Sequence, residues 1–170
     1  IAGAKAKLDN NTYYLDANEG ANCLHSGKDG FHAQNWQVGD VSDTHILLTL
    51  AVGDEDGGFP GNRVVALRYE LVGASLWLTM LGTSDEATWM NLTHHGYWNL
   101  DGTRTFKGHK LWVDGVDWVG VDDANIPTDI QMCPYDFAKG VDLPADESGE
   151  IDHNLCLAPS DKDIRTVARL

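Results

Sequence analysis

The sequence is poor in cysteine and in positive charge. Three cysteines occur among 170 residues, far apart and without a CxxC pair, which argues against a disulfide framework and a thiolate zinc site. This use of cysteine is compatible with a reducing compartment, and we expect a cytoplasmic protein. Lysine and arginine number 12 against 26 acidic residues, and the formal net charge is −14. Such a surface repels nucleic acid and anionic lipid, so we expect neither as a partner.

Long apolar runs are also missing. No stretch approaches the roughly 20 apolar residues of a membrane-spanning helix, and apolar residues nowhere keep the helical period for three full turns. The chain instead contains 18 glycines and short apolar alternations between Gly- and Asp-rich turns, a pattern typical of β-sandwiches and barrels. We predict an all-β fold, a mostly antiparallel β-sandwich, with residues 1–170 in a single domain.

Several segments have the pattern of strands. Residues 45–52 form a compact apolar run that ends at an acidic, Gly-rich loop, which predicts a buried strand. In residues 65–71, apolar and polar side chains alternate, as in a half-exposed antiparallel strand. Residues 72–75 are short enough for a hairpin into a strand at 76–81. Further predicted strands are 12–15, 91–101, 110–113, 118–121, 154–157 and 166–170.

The segment 91–101, NLTHHGYWNLD, carries more hydrogen-bonding and stacking capacity than an ordinary strand. In an extended segment, successive side chains point to opposite faces, so that His95 and Tyr97 share one face and His94 lies on the other. His95 then stands among a hydroxyl, an amide and a phenol, which suits an imidazole that handles a sugar. The alternative is a pair of surface or core histidines without a chemical role.

Three other features are candidates for chemistry: His25 in a Gly-rich loop, the acidic loop 53–61, and Asp152. Each also has a purely structural interpretation, as an exposed histidine, a solvated turn and a turn cap. A metal site is not favoured, because the HxH and HExxH spacings are absent and the acidic loop does not fit the EF-hand template. A nucleophilic triad is not favoured, because there is no GxSxG elbow.

Four segments together resemble the galactose mutarotase (aldose 1-epimerase) family. Residues 91–100 resemble its NLTNHSYFNL signature, with His94, Gly96 and Trp98 where the family has Asn, Ser and Phe. In family order, residues 22–27, 58–61 and 151–154 resemble its NxLHGG loop, GYPG turn and FDHNF segment. The resemblance covers nearly the whole chain. It implies a supersandwich fold and the interconversion of the α and β anomers of a free aldohexose of the galactose or glucose type, without a metal or organic cofactor.

The resemblance also implies residue roles. The family's acid histidine corresponds to His95, its sugar-binding loop histidine to His25, its sugar-binding aspartate to Asp152, and the aromatic residue of the motif to Tyr97. Its sugar-binding arginine aligns with Lys7, which offers a point charge instead of a planar fork. The catalytic base is a glutamate in a segment that follows the residues present here. We therefore expect a partial chain, lacking the family's N-terminal part and its Glu segment, that is weakly active or inactive alone.

Two alternatives remain. One is a non-catalytic carbohydrate-binding β-sandwich. The missing Glu and the presence of Lys7 in place of arginine favour this alternative, whereas the retention of His25, His95 and Asp152 argues against it. The other is an epimerase for a larger or phosphorylated sugar. A phosphate site calls for a cluster of arginines, whereas Arg63, Arg68 and Arg104 are dispersed in the sequence, so this alternative ranks below the free sugar.

Overall fold

A computed structural model describes residues 1–143, 151–162 and 164–170. Within these ranges every regular element longer than one turn is a strand, and the strands pair antiparallel. The helical elements of the same ranges are 3₁₀ turns of three residues, at Ala2–Ala4, Phe31–Ala33, Asp56–Gly58 and Phe137–Lys139. The prediction of an all-β, mostly antiparallel fold is confirmed. No helix in the described residues is long and apolar enough to cross a bilayer.

The chain divides into two compact units, Ile1–His94 and His95–Leu170. All residues of the first unit are described, and they form a two-stranded and a four-stranded sheet. The small sheet is the hairpin of β1 and β2, and in the large sheet β3 to β6 pair in sequence order as a meander. The strands are β1 (Lys5–Leu8), β2 (Asn11–Tyr14), β3 (Gln37–Val41), β4 (His45–Val52), β5 (Arg63–Val72) and β6 (Ser75–Ser84).

The four-stranded sheet is buried most deeply where β4 ends and β5 begins. Leu50 of β4 lies opposite Val65 of β5, and Val65 is fully buried. The other residues of β4 are half-buried, apart from exposed Ala51, so the prediction of a buried strand at 45–52 holds only in part.

The hairpin from β5 into β6 closes with Val72 opposite Ser75. Gly73 in its turn has a φ of +60°, a backbone conformation that glycine adopts without steric cost. The predicted hairpin is therefore confirmed.

A second cluster of the first unit lies beneath its loops. Ala4, Leu15, Cys23 and Phe59 are buried together, and Trp89 packs against them. The Trp89 ring contacts the Phe59 ring edge to face, with centroids 6.5 Å apart. Burial raises the pKa of the Cys23 thiol. This cluster anchors both the loop that follows Cys23 and the turn that contains Phe59.

The described residues of the second unit form two three-stranded sheets, with strand orders β10–β7–β12 and β11–β8–β9. Phe137 is fully buried between them, in a cluster with Val113 and Cys133 on which Trp118 and Leu155 pack. The strands are β7 (Lys110–Val113), β8 (Gly115–Val121), β9 (Pro127–Met132), β10 (Val141–Asp142), β11 (Asn154–Leu157) and β12 (Ala168–Arg169).

Three predicted strands have the observed bounds: 45–52, 110–113 and 154–157. The prediction of a strand at 91–101 is wrong, because residues 87–100 have no regular secondary structure. At the end of this segment, Asn99 and Asp101 bond to neighbouring backbone groups, and such local bonds compete with a strand ladder. Four strands were not predicted, namely β1, β3, β9 and β10.

Candidate functional site

The second unit contains a cavity of about 640 Å³, a size typical of small-molecule sites. Its aromatic and apolar lining comes from Trp98, Phe106, Leu111, Leu143 and Ile151, and its polar lining from Tyr97, Asn99, Arg104, Thr105 and Asp152. Two residues of the sequence prediction, Tyr97 and Asp152, therefore line one cavity. They come from segments more than 50 positions apart in the sequence.

Asp152 lies in the short segment without regular secondary structure that leads into β11. The residue before it, Ile151, packs on the Phe137 cluster. The next residue, His153, has its ring 4.4 Å from that of Trp118 and 5.6 Å from that of Tyr135, measured between centroids. These packed neighbours hold the backbone on both sides of Asp152, so its exposed carboxylate is presented by an anchored segment.

His95 lies next to Tyr97. Their ring centroids are 5.3 Å apart and the ring planes are tilted by 39°. The ring of His94 instead contacts that of Tyr69 on β5, with centroids 6.0 Å apart. The rings of His95 and Tyr97 therefore lie side by side, although the segment is not the strand from which the alternation placed these two residues on one face. His94 has a packing contact of its own.

Tyr97, Trp98 and Asn99 continue into a loop, residues 99–109, that forms one wall of the cavity. Asn99 donates hydrogen bonds from its side-chain amide to the carbonyl oxygens of Thr103 and Thr105. The ring of buried His109 bonds to Phe106 and Leu100. This loop was not predicted from the sequence. The available signal was the NLDGT string, since Asn, Asp and Gly favour turns closed by side-chain hydrogen bonds.

His25 lies exposed at the turn that follows Cys23, in the first unit. Its φ is +50° and that of Ser26 is +68°, two consecutive non-glycine residues in the left-handed region. Asn18 holds the preceding residue, because its side chain accepts from the Leu24 N–H at 2.8 Å and donates to the Leu24 carbonyl at 2.9 Å. A Cβ at Gly30 would collide with the carbonyl oxygen of His25.

The acidic loop 53–61 is organised around Arg63. This residue is only 4% exposed, and its guanidinium donates to the carbonyl oxygens of Gly61, Gly53 and Asp56 at 3.1, 2.9 and 3.0 Å. Asp54 accepts from the Gly61 N–H at 2.7 Å. Burial lowers the pKa of Arg63, and the nearby carboxylates of Asp56 and Asp54 oppose that shift. The structural interpretation of this loop, as a turn, agrees with these contacts.

Lys7, a predicted site residue, and Arg68, one of the dispersed arginines, lie on strands of the first unit. Lys7 is exposed on β1, opposite Thr12. Arg68 on β5 is paired with Glu70 at 3.1 Å. Their hydrogen bond raises the pKa of Arg68 and lowers that of Glu70. Arg68 is therefore already engaged, as Arg63 is.

A Ser–His–Asp arrangement that was not predicted from the sequence joins Asp40 at the end of β3, Ser42 in the following turn and His45 at the start of β4. The His45 ring bonds to Ser42 Oγ and to Asp40, both at 2.8 Å. The bond to His45 lowers the pKa of Asp40. Ser42 Oγ also accepts from the N–H groups of Thr44 and His45, which is the geometry of a capped turn. In the described residues, no three His, Cys, Asp or Glu side chains come together as a candidate metal site.

Comparison with known proteins identifies a family and several relatives that this chain resembles. A model of the family described as aldose 1-epimerase matches residues 1–169. The aldose 1-epimerase of Escherichia coli strain K12 is 34% identical over 131 residues, covering 76% of this chain and 38% of that protein. The maltose epimerase of Levilactobacillus brevis is 36% identical over 153 residues, covering 82% and 44%.

The fold has solved relatives as well. The crystal structure of a GalM/aldose epimerase homologue from C. elegans superposes with a TM-score of 0.88 at 28% identity, over 99% of this chain and 55% of that one. The chain thus spans less than half of the length of the two relatives above. Because the family model extends over residues 1–169, the chain belongs to the aldose 1-epimerase family.

Proposed function

We propose that this protein acts as an aldose 1-epimerase, a mutarotase that interconverts the α and β anomers of a free aldohexose of the galactose or glucose type. The observation that carries the proposal is the cavity in which Tyr97 and Asp152 meet the aromatic side chains of Trp98 and Phe106. A carboxylate accepts hydrogen bonds from sugar hydroxyls, and aromatic rings supply apolar walls for the C–H faces of the sugar. Family membership supports the same reaction.

In the proposed reaction, His95 is the general acid. A protonated imidazole donates its proton to the ring oxygen while the bond between C1 and that oxygen breaks, and a carboxylate base removes the proton of the C1 hydroxyl. The product is the open-chain aldehyde. Rotation about C1–C2 and the reverse proton transfers give the other anomer. The exposed ring of His95 and its contact with cavity-lining Tyr97 support this role.

The remaining roles follow the family pattern. The proposed base is the glutamate of the family pattern, a role that we assign to no residue present here; the chain spans 38% and 44% of the two curated relatives above. His25 and Lys7 are proposed to bind sugar hydroxyls, and the same role is proposed for Asp152 and Tyr97. The left-handed backbone of His25 supports its role, because strained conformations of non-glycine residues concentrate at functional sites.

The test compares two adjacent histidines in a form of the protein that includes the Glu segment. His95→Asn should slow anomer equilibration by about 10²–10⁴-fold, the usual contribution of general acid–base catalysis. His94→Asn restores the family residue and should leave the rate near that of the unmodified protein. Polarimetry and NMR of freshly dissolved α-galactose follow the reaction. An unchanged rate in His95→Asn would remove this residue from the acid role.

A larger sugar is the second candidate, and one relative favours it, the maltose epimerase that is 36% identical. Comparing the anomerisation rates of galactose, glucose and maltose decides between the two substrates. A different class of function predicts a different outcome: sugar binding without faster anomerisation, in a form with the Glu segment, would identify a non-catalytic carbohydrate-binding protein.

A further inference from the structure

The side-chain amide of Asn99 clamps the backbone on both sides of Arg104. Its Nδ2 donates to the carbonyl oxygen of Thr103 at 2.8 Å and to that of Thr105 at 3.1 Å. Its Oδ1 accepts from the Asp101 N–H at 3.3 Å. The Thr103 hydroxyl adds a bond to the Thr105 carbonyl at 2.7 Å. Both N–H groups of Asn99 are therefore used within the loop, so that its role is to hold the loop in place.

His109 joins the two ends of the same loop. It is 8% exposed. Its Nδ1 lies 3.1 Å from the Phe106 carbonyl oxygen and its Nε2 lies 3.3 Å from the Leu100 nitrogen. The neutral tautomer with its proton on Nδ1 donates to the carbonyl and accepts from the Leu100 N–H. The loop is thus fixed at its base by His109 and near its tip by Asn99.

Arg104 is available to a ligand in a way that the other two arginines noted from the sequence are not. Arg63 is buried on loop carbonyls and Arg68 is paired with Glu70. Arg104 lines the cavity, and among the described residues the charged side chains of the lining are those of Arg104 and Asp152. A guanidinium only donates hydrogen bonds and a carboxylate only accepts them, whereas a hydroxyl does both. This pair of opposite charges therefore complements a neutral polyhydroxyl ligand.

We infer that Arg104 is a specificity-determining residue that donates hydrogen bonds to the hydroxyls of a neutral sugar in this cavity, and that Asn99 is the positioning residue that holds it there. The inference rests on the proposed function for the identity of the ligand as a sugar. It adds Arg104, as a hydrogen-bond donor, and the loop 99–109 to the groups proposed to bind that sugar. It also bears on the choice among sugars, because the carboxylate of Asp152 offsets the attraction of Arg104 for an anionic substituent, so that an acidic sugar gains no advantage over a neutral one.

The first test is Arg104→Gln, with Lys107→Gln as the matched control. Lys107 is exposed on the same loop and does not line the cavity. Loss of a hydrogen bond from a charged donor should weaken the binding of galactose by about 10- to 100-fold, and the control should bind as the unmodified protein does. Isothermal titration or ligand-observed NMR measures both. Equal affinity in Arg104→Gln and the unmodified protein overturns the inference, as does tighter binding of galacturonate than of galactose to the unmodified protein.

The second test asks whether Asn99 acts through Arg104. Asn99→Ala alone should weaken galactose binding, and in the Arg104→Gln background it should add no further loss. If the losses of affinity in Asn99→Ala and Arg104→Gln are additive in the double variant, Asn99 does not act through Arg104 and the positioning role is overturned. Asn99→Asp, which keeps the side-chain volume and removes both donors, replaces Asn99→Ala if that variant does not fold. Failure of the unmodified protein to bind any sugar contradicts the proposed function itself, whereas failure of the Arg104 prediction alone leaves that function standing.

Discussion

The carboxylate of Asp85 accepts two hydrogen bonds from Asn62, one from the backbone N–H at 2.7 Å and one from the side-chain amide at 2.8 Å. Asn62 ends the loop before β5 and Asp85 follows β6, so that the pair ties this loop to the end of the strand pair. The two bonds lower the pKa of Asp85.

This pair predicts a pH-dependent contribution to stability. Because the folded-state pKa of Asp85 lies below the unfolded value of about 3.9, the carboxylate stabilises the fold above that value, and the contribution disappears as the pH falls through the folded pKa. Asp85→Asn should therefore lower the free energy of unfolding at pH 7, and the difference should shrink at acid pH. Urea denaturation across this range measures it. Asp123→Asn, which removes an exposed carboxylate, is the control, and a pH-independent difference contradicts the prediction.

We predict that substitution of Arg63 causes a large loss of stability. Arg63→Met removes the donors to three loop carbonyls, and the loss should be about 2–4 kcal/mol, since buried acceptors left without a partner are costly. Arg63→Lys should recover only part of it, because an ammonium lacks the planar fork. Arg68→Met breaks a partly exposed ion pair and should cost much less than Arg63→Met. Chemical denaturation of the three variants gives the order, and equal losses at the two positions would exclude the buried network as the cause.

We predict that a side chain at position 30 displaces His25. A methyl group at Gly30 collides with the His25 carbonyl oxygen, so Gly30→Ala should cost about 1–3 kcal/mol of stability and shift the NMR signals of the His25 ring. Gly73→Asn is the control, because a Cβ at Gly73 meets open space and asparagine tolerates its positive φ. A variant with unchanged His25 signals would show that the loop absorbs the extra methyl elsewhere.

We predict that one substitution of His153, by phenylalanine, does not destabilise the fold. Its buried Nδ1 has no hydrogen-bond partner among the described residues, and its ring packs on those of Trp118 and Tyr135. His153→Phe keeps the ring contacts and removes a buried polar atom, so the free energy of unfolding should stay the same or rise by about 1 kcal/mol. Thermal and urea denaturation test this, with His153→Ala as the variant that loses the ring contacts. A loss in His153→Phe as large as in His153→Ala would contradict the prediction.

Apolar runs and turn residues were sufficient to predict much of the fold. The strands β4, β7 and β11 have the bounds that their sequences predicted, because each is a short run of apolar residues between turn residues. β9 was missed since it begins with Pro127, contains Asp129 and is exposed throughout. Residues of these types are depleted in strands, and β9 forms through its backbone pairing with β8.

Some residues of the candidate site were predicted from the sequence, and others were not. Tyr97 and Asp152 were predicted from short motifs, and they line the same cavity. The predicted strand that was to carry His95 is absent, yet the contact between His95 and Tyr97 is present. The loop of Asn99, Arg104 and His109 was not predicted, because hydrogen bonds from side chains to nearby carbonyls leave no periodic pattern in the sequence.

The sequence by itself determined the all-β class and the family, because alternation, turn residues and short motifs are local properties of the chain. Tertiary structure alone decided that Asn99 holds the backbone around Arg104, and that Arg104 shares a cavity with Asp152. Which polar groups meet depends on the backbone path between distant segments and on which donors find acceptors there. Those pairings are settled only when the chain is folded.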